Sequence, residues 1–84
     1  MYRVTGCIEL ELPEEKALQA VARALDVEAR NPPDPRRGRV EVRVEPGKLV
    51  VCFEARDLAA ARTLANTYLS LAATTVEVVA ATGG

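Results

Sequence analysis

From Tyr2 to Leu12 apolar and polar positions alternate, with Val4, Gly6, Ile8, Leu10 and Leu12 on one side and Arg3, Thr5, Cys7, Glu9 and Glu11 on the other. That period of two is the mark of a half-buried strand. At Pro13 the period lengthens. Ala17, Leu18, Val21, Ala22, Leu25 and Ala29 recur at helical spacing, opposite a solvated face of Lys16, Gln19, Arg23, Asp26 and Arg30. Pro13 fits the start of this helix, and Glu14 and Glu15 suit the positive end of its dipole. Asn31-Pro32-Pro33-Asp34-Pro35 cannot continue it, so an end near Glu28 or Ala29 is expected.

Alternation returns with Val40, Val42 and Val44 against Glu41, Arg43 and Glu45, and Glu45-Pro46-Gly47-Lys48 reads as a tight turn. The strand that follows, Leu49 to Ala55, is apolar on both faces, because Val50 and Cys52 oppose Leu49, Val51, Phe53 and Ala55. A strand of that kind belongs in the middle of a sheet, or in a sheet whose outer face is also covered. The order strand, helix, strand, strand, helix then predicts an α+β fold: a three-stranded antiparallel sheet in spatial order 1-3-2, with both helices on one face. Residues 1–84 read as one domain, without repeat or linker.

The segment from Ala55 to Val79 organises the chain. Asp57 is placed to cap a helix, and Leu58, Ala61, Leu64, Ala65, Tyr68, Leu69, Leu71, Ala72, Val76 and Val79 then occupy more than half of its circumference. The remaining face carries Thr63, Asn66, Thr67, Ser70 and Thr74, all small or short and none charged, in a chain that is 27% charged. A solvated face would carry Lys, Glu and Arg. A helix covered on two sides, by its own sheet and by another protein, is therefore expected, with those five residues as the partner-binding face.

Composition narrows the chemistry. The chain has no histidine, which removes the commonest general base and metal ligand, and its two cysteines without another soft ligand cannot build a zinc site. The carboxylates alternate along strands and form no paired acid and base. Neither catalysis nor a cofactor is expected. Eleven basic and twelve acidic residues leave the molecule near neutral, so its overall field does not attract nucleic acid. No export signal or membrane span is read, and a cytoplasmic protein is expected. At 84 residues a single core is modest, and self-association is the simplest way to add buried area. The scarcity of amides and the preference for Arg over Lys suggest heat adaptation.

Three local features have two readings each. Arg36, Arg37 and Arg39 form a positive cluster on a stiff loop; without an adjacent aromatic residue to stack on a base, a solvated loop tip is the plain reading, and a phosphate contact the other. Cys7 and Cys52 fall on the outer sheet face in the expected register, where adjacent strands allow them to be neighbours. They form either a disulfide or two packed thiols, the latter being expected in a cytosolic protein. The sequence ends in Gly83-Gly84, as ubiquitin-like modifiers and sulfur carriers do, but their fold starts with a hairpin and ends on a strand.

Several segments together resemble a known family. Glu9-Leu10-Glu11-Leu12-Pro13, Asn31-Pro32-Pro33 with Arg39-Val40-Glu41-Val42, and above all Ala55-Arg56-Asp57-Leu58, Ala61-Arg62 and Leu64-Ala65-Asn66-Thr67-Tyr68-Leu69 are similar to the small dimerising subunit of the KEOPS complex, a family that includes the human cancer/testis antigens of the CTAG group. The resemblance implies a non-catalytic homodimer that helps hold together the machinery for threonylcarbamoylation of a tRNA adenosine beside the anticodon. It further implies that the helices bundle with those of the catalytic threonylcarbamoyltransferase subunit. On this basis the homodimer is expected to use the sheet, through an edge strand or through the outer face where Cys7, Val50 and Cys52 supply apolar area. Arg36, Arg37 and Arg39 become candidates for a weak tRNA contact.

Overall fold

The computed structural model describes residues 3–31 and 38–81. Strand β1 (Val4–Glu11) leads into helix α1 (Glu15–Arg30), strands β2 (Gly38–Glu45) and β3 (Lys48–Ala55) form a hairpin, and helix α2 (Leu58–Ala81) follows. The sheet is antiparallel throughout in the order β1-β3-β2. This is the α+β arrangement that the double-faced apolar pattern of β3 predicts. Leu49, Val51 and Ala55 are buried on the side of β3 facing the helices, and Val50 is buried on the other.

Hairpin geometry follows from two residues. Pro46 presets the first turn position, and Gly47 takes φ 72°, the left-handed conformation that costs a side-chain-bearing residue free energy. Its carbonyl accepts the Leu12 N–H at 2.9 Å, which holds the exit of β1 against the turn. Gly6 serves a different purpose. It lies opposite Phe53 in the register, and an added Cβ would approach the ring to 3.0 Å, so the absent side chain is what lets the ring cross the sheet there.

Helix α1 begins two residues later than Pro13 suggests, with Glu14 before its first turn, and runs one residue past Ala29 to Arg30. Asn31 extends it by donating its side-chain amide to the Val27 carbonyl at 3.0 Å and its backbone N–H to that of Glu28. Arg30 also bonds Asp26 one turn back at 2.9 Å. Helix α2 starts as expected, with Asp57 accepting the Ala60 N–H at 2.8 Å. Leu18, Val21, Leu25, Leu49, Val51 and Tyr68 form the centre of the core, and Ala55, Ala60 and Ala61 form a second cluster beneath the start of α2. There the alanines let the helix sit close to the sheet.

One expectation is overturned. Cys7 and Cys52 are joined by a disulfide rather than left as packed thiols. They are directly opposite across β1 and β3, with Cα atoms 4.0 Å apart, the close spacing of a non-hydrogen-bonded antiparallel pair. The expectation of free thiols came from the redox compartment; strand register decides the pairing instead.

Candidate functional site

Two grooves run along different flanks of α2, and they differ in chemistry. The first lies between α1 and α2 and is lined by Glu28, Asn66, Thr67, Ser70, Leu71 and Thr74. Four of the five residues expected to meet a partner thus share one depression. Thr63 stands one turn before it, exposed, with its hydroxyl donating to the Ala59 carbonyl at 3.1 Å. Glu28 is the one charged residue of the lining. Its carboxylate also acts on Tyr68: burial first, and this negative charge second, push the phenol above its ordinary pKa.

The second groove lies between α2 and β1. Leu10, Leu12, Leu69, Ala72, Ala73 and Val76 form its floor, and Glu9, Glu11 and Glu77 its acidic rim. It adjoins the outer edge of β1, which has no strand beside it among the described residues. Sequence periodicity does not separate this flank from the core, because Leu69 and Val76 fall on the same broad apolar arc as the residues that meet the helix's own sheet. In the fold Leu69 is 43% exposed and lines this groove with Val76. The signal is the width of the arc itself.

Helix α2 has 24 residues and two charges, Arg62 and Glu77. By length and composition it would pass as a membrane span, with a mean hydropathy of 1.2; its buried residues Ala60, Ala61, Tyr68 and Ala72 pack with residues of α1 and β3. A helix so apolar with two lined flanks is suited to binding other helices or strands rather than water.

The outer sheet face is less apolar than its sequence suggests. Val50 sits between Glu9 and Arg43 in the register and is 6% exposed, and the Glu9–Lys48 ion pair at 2.8 Å lies beside it. That pair lowers the Glu9 pKa and raises that of Lys48, chiefly through their shared hydrogen bond. Cys7 is exposed and Cys52 half-buried on the same face. Arg39 belongs to β2 rather than to a loop; it projects from the outer face, 3.8 Å from Glu54, which also pairs with Arg3. Arg36 and Arg37 lie outside the described residues, as do Gly83 and Gly84. Among the described residues no three His, Cys, Asp or Glu side chains are grouped to hold a metal ion.

A split strand-helix-strand-strand-helix sheet with a long, nearly uncharged helix grooved on both flanks defines a small α+β protein-binding module. The hairpin follows α1, and α2 continues to Ala81, an order unlike that of ubiquitin-like carriers. The family model described as transcription factor Pcc1 matches residues 5–80, and the chain belongs to this family of non-catalytic KEOPS subunits. No curated protein matches the chain.

Proposed function

We propose that this chain is the dimerisation and scaffold subunit of a KEOPS complex, a cytoplasmic single-domain protein without catalysis or cofactor of its own. In that role it supports threonylcarbamoylation of a tRNA adenosine beside the anticodon. Family membership supports the complex, and the observation that carries the scaffold role is α2, whose two flanks offer different surfaces. The α1–α2 groove receives helices of the catalytic subunit: its small uncharged side chains permit close approach, at interaxial distances of about 8–10 Å, and avoid the cost of burying charge. The β1 edge and the groove beside it join two copies, since an edge strand offers unpaired N–H and C=O groups and a two-fold axis repeats one patch on both protomers. The edge is favoured over the outer face because Val50 is already buried between charged neighbours. Arg36, Arg37 and Arg39 add a weak tRNA contact in the assembled complex.

The decisive experiment is capture of the separately purified catalytic subunit. Thr67→Arg places a long charged side chain in the α1–α2 groove, where burial without a partner costs several kcal/mol. It is expected to abolish capture while leaving circular dichroism and oligomeric size unchanged. Gln19→Arg on the solvated face of α1 serves as the control and is expected to bind normally. Undiminished capture by Thr67→Arg would remove this groove from the interface.

A further inference from the structure

The outer face of the sheet carries a feature that partner docking leaves unused, the bond between Cys7 and Cys52. Strand β2 is tied to β3 by the turn at Pro46 and Gly47, but β1 has no such local tether and meets β3 across a sequence separation of 45 residues. No residue of β1 is fully buried. Val4 and Leu10, near its two ends, pack against the buried clusters, while Gly6 contributes no side chain to hold the middle. The disulfide is thus to β1 what the turn is to β2, a covalent closure of a strand pair. It is also open to solvent. Thr5, Arg39, Glu41 and Glu54 surround it in a shallow depression on the side that neither helix covers, so a dissolved thiol reaches sulfur without the core opening, and access is one of the factors that govern exchange.

We propose that the Cys7–Cys52 bond is a reversible redox staple, through which the ambient thiol–disulfide couple sets how firmly the edge strand β1 is held on the sheet. A dithiol reductant attacks one sulfur as a thiolate; the protein S–S bond breaks and a mixed disulfide forms. The second thiol of the reductant then displaces the protein sulfur. Two electrons have passed to the pair, Cys7 and Cys52 each take up a proton, and the reductant leaves as its own cyclic disulfide. Reduced β1 is held by its ladder, its half-buried contacts and the exposed Glu9–Lys48 ion pair. The core of Leu18, Val21, Leu25, Leu49, Val51 and Tyr68, none of which lies on β1, stays packed. This property belongs to the chain itself and holds with or without the assembly proposed above.

The test uses the full chain, purified without reductant and compared with the same sample after dithiothreitol. Thiol titration is expected to find no free thiol before reduction and two after it. Amide exchange in Val4–Glu11 is expected to speed up on the order of tenfold or more on reduction, while α1 and the β2–β3 hairpin keep their protection. The melting temperature is expected to fall by about 15 °C or more. A Cys7→Ser, Cys52→Ser double variant should match the reduced protein and ignore reductant. Free thiols in the isolated protein, equal β1 exchange in both redox states, or failure of the bond to re-form in an oxidising glutathione buffer would each overturn the proposal.

Discussion

Asp57 ends a strand and starts a helix with one carboxylate. Its bond to the Ala60 N–H satisfies one of the donors that the first turn of α2 leaves unpaired. Asp57→Ala is expected to cost about 1 kcal/mol in urea unfolding, with an unchanged slope; no loss would mean that water caps the helix equally well. Tyr68 offers a second measurement at this scale. Its folded pKa lies above the ordinary 10.0 because burial disfavours the phenolate and Glu28 adds negative charge. In a Tyr2→Phe variant, which leaves Tyr68 as the only tyrosine, the tyrosinate absorbance should rise with a midpoint above pH 10. Because the folded value is raised, the stability linked to Tyr68 is present below the unfolded pKa and is lost as pH climbs through the folded one. A midpoint at or below pH 10 would mean that the ring is not enclosed. The exposed Glu9–Lys48 pair acts at the extremes: its lowered carboxyl gives up its contribution as acid passes below the ordinary 4.5, and its raised ammonium as alkali passes above 10.5.

Among the elements, β3 and α2 are the most legible in the sequence. Apolar residues on both faces of one strand suit a central strand or a sheet covered on its outer face as well, and the fold takes the first of these, with β3 between the other two. The Asp57 cap and the stripe from Asn66 to Thr74 are equally visible, because helical spacing fixes which residues share a face. Which apolar residues of α2 the sheet leaves uncovered is not visible. That depends on how far β1 extends beneath the helix, a tertiary distance that no local pattern encodes. The Cys7–Cys52 bond escapes for the opposite reason: register makes the two neighbours, while the redox compartment argues for free thiols and geometry prevails. The uncovered flank carries its own prediction. Leu69→Glu adds a carboxylate beside Glu9, Glu11 and Glu77 at a site exposed enough to tolerate it in one chain. Buried between two copies it is expected to raise the dimer dissociation constant at least about a hundredfold by light scattering. An unchanged dimer would move the interface away from β1 and α2.

For the molecule as a whole, a net charge of −1 means that any attraction to tRNA must be local. Replacing Arg36, Arg37 and Arg39 together with Gln in the reconstituted complex is expected to lower the slope of log affinity against log salt by roughly one unit for each phosphate that is no longer neutralised. Arg39 begins partly engaged with Glu54, which favours a decrease smaller than three units; an unchanged slope would leave the cluster merely solvated. The two flanks of α2 also fix a shape. Along a helix turning about 100° per residue, the line through Asn66, Ser70 and Thr74 and the line through Leu69, Ala73 and Val76 are separated by roughly 90°. Partners seated on both would be set at that dihedral by the winding of one backbone, without a hinge between them. A two-fold axis, in the dimer proposed above, would then repeat the angle, so that the spread between two distant partners would be written in the phase of a single helix.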